Sequence, residues 1–408
     1  MPAHVLIVGA GLGGLALAQG LKKHGVDFTL YERDANAEAR AQGYRIKIFP
    51  DSHPDLAFVA PQDLVDEIEA TSAETVMVES MVNAVNAQPL ARRALRGFKP
   101  WTVDRGFMRK VLLKGLEDKI HWAKEAVRYE TSTSDPDKPV TVHFADGTSA
   151  SGSLLVGADG NHSPIRKQLV PKHKIIDPEG VCLYGRTYLT PELRERLDPS
   201  LLRGLNVVRD VAPVIQQVIF DSELPISMFI EKMHFPRRAR DHPELPDDYM
   251  YWSMLVPSKA LGFHEQMIAG VYHSKTAVEL NTMLTAEWHP SIRCLIDLQD
   301  AEFATKLRVI SSTPDVAAWE SSPCVTLLGD AIHVMSPSGA VGAATALKDA
   351  VALIKAITGP EGISQASIQQ YESDMREVAK AAIDRSFRGG KLLYGQPPLD
   401  KCTVIEGA

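Results

Sequence analysis

The stretch HVLIVGAGLGGLALAQGLKKHGVDFTLYERD, residues 4–34, decides the fold. Val5 to Val8 form an apolar run of strand length, and Gly9, Gly11 and Gly14 follow in a G-x-G-x-x-G turn that also holds Leu12 and Gly13. Leu15 to Lys23 continue at helical spacing. Val26 to Tyr31 form a second apolar run ending on Glu32, eighteen positions after the last glycine of the turn. Each part has a physical task. Gly9 allows the tight turn, Gly11 lets the backbone approach a pyrophosphate, and Gly14 lets the helix pack closely on the strand. The helix start offers free N–H groups and the positive end of its dipole to phosphates. Glu32, with Arg33 beside it, is placed to accept hydrogen bonds from a ribose. The whole strand–turn–helix–strand–acid pattern predicts a dinucleotide-binding unit.

Outward from this unit, composition sets the limits. A chain of 408 residues, 45% hydrophobic and 23% charged, has the make-up of a globular protein with room for one large or two ordinary domains. A net charge of -7 gives no electrostatic footprint for nucleic acid. Cys182, Cys294, Cys324 and Cys402 lie far apart without metal-ligand spacing, so reduced thiols in a cytoplasmic protein are expected. The apolar start is too short for a signal peptide, and no apolar run approaches a membrane span. Neither a membrane nor a nucleic acid is an expected partner.

After the opening unit, EARAQGYRIKI contains Arg40, Gly43 and Arg45 in an alternating stretch that suggests an edge strand. Arginines so close to the dinucleotide unit face either phosphate or solvent. Residues 61–70 read as a helix and 74–100 as strands with turns. From Asp104 to Lys119 an amphipathic helix is expected, with Phe107, Met108, Val111, Leu112 and Leu116 on one face. Arg105 in its first turn opposes the helix dipole, so it is expected to reach for a ligand. Residues 124–150 read as a hairpin turning at Asp146-Gly147.

Two later stretches repeat the opening theme. In SLLVGADGNHSPIRKQL, residues 153–169, the buried run Leu154 to Val156 stops at Gly157, with Asp159 and Gly160 just beyond and Ser163 and Arg166 at a helix start. In CVTLLGDAIHVMSPSGAVGAATALKDAVAL, residues 324–353, the run Val325 to Leu328 closes on Gly329-Asp330. A loop with Pro337, Gly339 and Gly342 then opens another helix at Ala343. In open parallel sheets ligands sit beyond the carboxyl ends of the strands. The acids of the later units reach the same ligand only if all three runs share one sheet.

These residues resemble the three motifs of FAD-dependent monooxygenases of the single-component aromatic-hydroxylase type, the para-hydroxybenzoate-hydroxylase-like and tetracycline-monooxygenase-like proteins. The opening unit with Glu32 resembles the ADP-binding fingerprint. Asp159-Gly160 through Arg166 resembles the D-G motif, associated with FAD and NAD(P)H. Gly329-Asp330 through His333, with Pro337, Gly339 and Gly342, resembles the G-D motif, whose aspartate holds the ribityl chain. The resemblance implies non-covalent FAD, NADPH or NADH as electron donor, and O2 as co-substrate. It also implies an oxygen transfer through a C4a-hydroperoxyflavin onto an electron-rich aromatic or polycyclic small molecule. Arg40, Arg45 and Arg105 stand where the family places arginines against FAD, and Arg45 and Pro337 are the expected flavin-edge residues. Two departures are Ala340, replacing a common glycine, and Ala344, replacing a common asparagine. His333 is read as structural rather than as a general base.

The fold implied is α/β: a Rossmann-like FAD-binding domain with an inserted mixed β-sheet substrate domain and a long C-terminal helix. The FAD-binding part is expected at 1–75, 101–175 and 306–400, and the substrate part at 76–100 and 176–305. The insert carries strand-like runs at Cys182–Leu189, Val214–Phe220, Met228–Phe235 and Tyr249–Val256. Met- and aromatic-rich runs suit an adaptable apolar pocket. Tyr184, Arg186, Gln216, Phe229, Trp252 and Met254 are the candidate pocket residues. Residues 237–248 read as an exposed charged loop, and Ser364 to about Phe387 as a closing helix. A monomer or homodimer is expected. Rival readings are another flavoenzyme on this fold, a flavin-free dehydrogenase that leaves Gly329-Asp330 without a task, and a non-catalytic binding protein on the same scaffold.

Overall fold

Val5, Leu6 and Ile7 are fully buried, and the strand they belong to, His4–Val8, lies in the middle of a parallel five-stranded sheet. In this computed structural model, residues 3–39, 45–97, 99–132, 135, 137–210, 226–261, 274–405 and 407 are described. The sheet order is Val325–Leu327, Leu154–Gly157, His4–Val8, Asp27–Tyr31, Ile120–His121. Apolar runs without alternation are what a parallel sheet covered on both faces requires. The three glycine-ended strands are therefore direct neighbours: Val8 pairs with Gly157, and Gly157 with Leu327. Their loops emerge side by side at one edge.

The opening turn shows why glycine is needed. Gly9 has φ of 109°, in the region where L side chains are strained. A Cβ on Gly14 would lie 2.0 Å from the Gly9 carbonyl oxygen, so the helix Leu12–Lys23 can start against the strand only without one. The helix packs on Gly342–Thr358, the helix that follows the last motif.

A seven-stranded sheet stands over this edge. Its order is Thr305–Arg308, Gly180–Tyr188, Tyr249–Pro257, Ile226–Met233, Leu205–Asp210, Val78–Asn83, Pro89–Ala94. Both its faces are occupied. Met228, Ile230, Met250, Trp252 and Met254 form a second core with Leu193, Leu280, Ile292 and Leu295, contributed by the helices Pro191–Arg196, Ala277–Leu284 and Pro290–Asp297. Side chains alternate along a strand, so the odd-numbered neighbours of Trp252 and Met254 point the other way.

Smaller pieces join the two layers. Arg45–Ile48 pairs antiparallel with Trp101–Asp104. Ala126–Thr131, Val140–Phe144 and Ser149–Gly152 form the expected hairpin sheet, with Gly147 at φ 83° in its turn. The expected helix from Asp104 ends early, at Leu113, because Gly115 takes a left-handed turn at φ 70° that brings Leu116 into the core. The closing helix is longer than expected, Gln365–Tyr394. Gly389 and Gly390 do not break it. They are sites of close approach, where a Cβ would stand 2.5 Å from the Ser338 carbonyl oxygen and 2.1 Å from Gln396 Oε1. Within the charged stretch 237–248, Leu245 is buried and Asp248 accepts from the Phe235 N–H at 3.1 Å, so that loop is anchored at its far end. The expected strand Val214–Phe220 lies outside the described residues.

Candidate functional site

Between the parallel sheet edge and the seven-stranded sheet lies a cavity of about 1040 Å³. The three glycine-ended strands supply its floor: Gly9 to Gly14, Asp159-Gly160 and Leu328 to Asp330 all line it. Gly11 faces open space, since a Cβ there would meet nothing within 4 Å. The helix Gly342–Thr358 presents its first residues, Gly342, Ala343 and Ala344, to the same cavity. Two helix starts thus converge on it, each able to hold an anion.

The acids are set by different means. Glu32 is 7% exposed, and its carboxylate accepts from the Ala10 N–H at 2.7 Å and the Asp34 N–H at 3.0 Å, which fixes it beside the glycine turn. Asp159 has both carboxylate oxygens buried without a hydrogen-bond partner among the described residues. Burial pushes its carboxyl up to about 6, opposed by the nearby Ser163 hydroxyl and the charge of Arg166. Asp330 lies deep in the protein, yet its side chain is accessible from the cavity. Burial raises its carboxyl too, opposed by the charges of His333 and Arg105.

Behind the floor, side chains tie the loops together. Arg166 is 1% exposed and does not line the cavity. Its guanidinium donates to the Asn161 carbonyl at 2.7 Å and to the Ala331 carbonyl at 3.3 Å, joining the second and third motif loops. Asp349, on the Gly342 helix, accepts from the Gly329 N–H at 3.0 Å and pairs with His333 Nε2 at 2.5 Å. Burial disfavours charge on His333, but the Asp349 carboxylate outweighs it and the imidazole is pushed up. This pair holds the Gly329-Asp330 turn from below.

The roof is one face of the seven-stranded sheet, odd-numbered on the strands Tyr249–Pro257, Ile226–Met233 and Leu205–Asp210 and even-numbered on Gly180–Tyr188. Tyr184, Phe229, Tyr251, Ser253 and Leu255 line the cavity, with Leu205 and Thr305 at the sides. The register sets them in rows: Thr305, Tyr184, Ser253 and Phe229 lie directly across adjacent strands. Three hydroxyls therefore stand in line beside aromatic and aliphatic surface. At one end Arg45 and Lys47 enter from the strand Arg45–Ile48 and meet the buried Glu231.

Of the residues selected from sequence, Gly9, Gly11, Leu12, Gly13, Gly14, Glu32, Arg33, Arg45, Arg105, Asp159, Gly160, Gly329, Asp330, Pro337, Gly342, Ala343, Tyr184 and Phe229 line this one cavity. Trp252 and Met254 are corrections: both are 0% exposed in the second core, on the opposite face of their strand. Arg186 is also set apart from the cavity. It is paired with Asp300 at 3.0 Å, and its guanidinium stacks 3.5 Å from the Phe303 ring centroid. Gly339 packs beneath, where a Cβ would stand 2.4 Å from Ser386 Oγ. Arg40 and Gln216 lie outside the described residues. Sequence reasoning missed Lys47, Tyr251, Ser253, Leu255 and Thr305. Ser253 is the one small polar residue in YMYWSMLVP, and it marked the cavity face.

A parallel sheet with three glycine-ended loops at one edge and a second sheet above it defines a flavin-binding class of protein. The chain belongs to the FAD binding domain family, whose pattern matches residues 2–181 and 240–386. It is 40% identical over 414 residues to the dual O-methyltransferase/FAD-dependent monooxygenase CTB3 of Cercospora beticola, a match covering 98% of this chain and 47% of that protein. The chain thus spans about half the length of that relative. Among solved structures it resembles a Photorhabdus luminescens protein provisionally described as an FAD containing monooxygenase. That likeness has a TM-score of 0.78 and 29% identity, over 96% of this chain and 98% of the other. It also shares the fold of Klebsiella pneumoniae HpxO complexed with FAD and uric acid, with a TM-score of 0.74 and 20% identity over 97% and 89% of the two chains. The residues present fit FAD. Gly11 leaves backbone exposed to the cavity, Asp159 holds two unpartnered buried oxygens, and two helix starts face the same space. Among the described residues no helix is long and apolar enough to cross a membrane.

Proposed function

We propose that this chain is an FAD-dependent monooxygenase that transfers one atom of O2 to an electron-rich aromatic or polycyclic small molecule, with NADPH or NADH as reductant. One observation carries the reading: a single cavity is floored by the three dinucleotide-type loops and roofed by an aromatic, hydroxyl-bearing sheet face. When bound, FAD supplies the activation of O2, so that R–H, O2, NAD(P)H and a proton become R–OH, water and NAD(P)+.

The chain's own residues bind, orient and exclude water. The start of the helix Leu12–Lys23, with Gly11 leading into it, receives the pyrophosphate, and Glu32 the ribose. Asp330 holds the ribityl chain, and Asp349 and His333 keep it in place. The N–H groups at Gly342 and Ala343 would stabilise negative charge at the pyrimidine end of the ring. Pro337, which lines the same cavity, would border the ring edge. Tyr184, Ser253 and Thr305 orient oxygens of the substrate, while Phe229 and Leu255 cover its flat surface. On this reading residues 1–75, 101–175 and 306–400 bind FAD, and 76–100 and 176–305 bind substrate. The names of the relatives support the activity, and the likeness to HpxO supports a small heterocyclic or aromatic ligand.

Turnover with isotopically labelled O2 and a panel of phenols and polycyclic enols tests this. One labelled oxygen in the product, with NAD(P)H consumed in equal amount, is the expected result. Product oxygen drawn only from water overturns the reading.

A further inference from the structure

Glu231 is 3% exposed and sits between two cations. Lys47 Nζ donates to Glu231 Oε1 at 2.7 Å, and Arg45 Nε stands 3.2 Å from Glu231 Oε2. The second contact is an ion pair without hydrogen-bond alignment, since Arg45 Nε and Glu231 Oε2 are both buried with no hydrogen-bond partner among the described residues. Arg45 is held further by the Tyr251 ring, 5.2 Å from its guanidinium carbon to the centroid. Both cations have side chains 13% exposed, and both line the cavity. Two positive groups and one carboxylate leave an excess of one positive charge in a largely desolvated wall. Uncompensated charge in such a place is costly.

From this geometry we infer that Lys47 is the docking point for a single anionic ring oxygen of the substrate, an acidic phenol or enol bound in its ionised form, with Glu231 limiting how strongly that anion is held. The inference rests on the monooxygenase reading for the place of the substrate. Three features select the ligand. Lys47 carries three N–H donors, and Glu231 takes one among the described residues. Its ammonium is a compact point charge that suits one oxygen, whereas a carboxylate favours the forked guanidinium, and Arg45 is already committed to Glu231 and Tyr251. The neighbouring wall is flat and unsaturated or aliphatic: Tyr251 and Leu205 lie directly across from Glu231 on the two adjacent strands. Charged groups facing Lys47 are Glu231 from the next layer and Arg45 from its own strand. Burial pulls the Lys47 ammonium below its ordinary value while Glu231 works the other way. An incoming anion restores what burial removes.

The test uses the purified FAD-containing protein and 1,2-dihydroxyanthraquinone, a planar phenol whose colour changes on ionisation at wavelengths beyond the flavin band. Titrations across pH give the affinities of its neutral and ionised forms, with anthraquinone-2-carboxylate as the carboxylate arm and FAD content measured on every protein. The wild type is expected to bind the phenolate about tenfold or more tighter than the neutral phenol, a shift of about one unit in the dye's ionisation. Lys47→Met should remove that preference, Lys47→Arg should keep most of it, and Glu231→Gln should increase it. A merely structural pair would weaken binding in the same direction in both the Lys47→Met and Glu231→Gln proteins, and that result overturns the proposal. So does a wild type that binds both dye forms equally, that binds no anion, or that prefers the carboxylate. A chain that takes up no FAD strikes instead at the proposed function, which keeps the two failures distinct.

Discussion

The floor and the roof of the cavity are built on opposite principles. The floor consists of three short loops, each written contiguously in the chain and rich in glycine, with Asp159 and Asp330 in the later two and Glu32 brought beside the first from the next strand. The roof consists of single side chains drawn from distant strands, and which of them face the cavity depends only on odd or even position. A floor residue can therefore be recognised from its neighbours in sequence. A roof residue is defined by its partners in space.

The largest effect that sharpens this contrast falls on the roof strand. Trp252 fills the second core and Ser253 faces the cavity. Trp252→Ala is expected to lower stability by about 4 kcal/mol, while Ser253→Ala changes stability little and weakens ligand binding by about 1 kcal/mol. Denaturant melts and ligand titrations on both variants check this; a Ser253 variant that loses the stability and a Trp252 variant that loses only the ligand would reverse the face assignment.

Next comes the support of the floor. Asp349→Asn leaves His333 buried without its carboxylate, and a loss of about 3 kcal/mol is expected. Because the folded state raises the His333 value, the pair's contribution is complete below the ordinary histidine range and fades as pH climbs through the raised value. The stability gap between wild type and Asp349→Asn should accordingly narrow as pH rises from 6 to 9, and a gap that widens counts against the pair.

Asp330→Ala should leave the protein folded but colourless after purification, with FAD affinity reduced by about 2 kcal/mol. Full FAD occupancy in that variant would remove Asp330 from the floor. The smallest effect has the opposite sign. Ala340 has φ of 51°, a left-handed conformation that glycine adopts without strain. Ala340→Gly is expected to raise stability by about 1 kcal/mol, and a fall in the melting temperature would show that the turn does not carry that strain.

The same contrast explains what could be read in the chain. Three glycine-ended apolar runs were visible as local patterns, and their meaning depended on one long-range fact, that they adjoin in a single sheet. The pairing of Gly157 with both Val8 and Leu327 supplies it. The strand Tyr249–Pro257 gave the opposite lesson. It is apolar on both faces because both are covered, so hydrophobicity carried no parity signal and Trp252 was selected in place of Tyr251 and Ser253. Lys47 has the same parity as Arg45 on an alternating strand, and that spacing was legible. Asp349 was not, because its role arises from a helix folding back beneath a loop twenty residues earlier. The Gly389-Gly390 pair looks like a helix end until Ser338 and Gln396 are seen packed against it.

On the proposed function, floor and roof act on one bound flavin and one substrate. Anaerobic mixing of the FAD-loaded protein with NADPH or NADH, with and without phenols and polycyclic enols, tests it most directly. Bleaching of the flavin that speeds up at least about tenfold with one ligand class is the predicted result, a change of about 1.4 kcal/mol in the barrier. Flavin that is indifferent to every nicotinamide and every ligand, or protein that cannot be loaded with FAD, would contradict it.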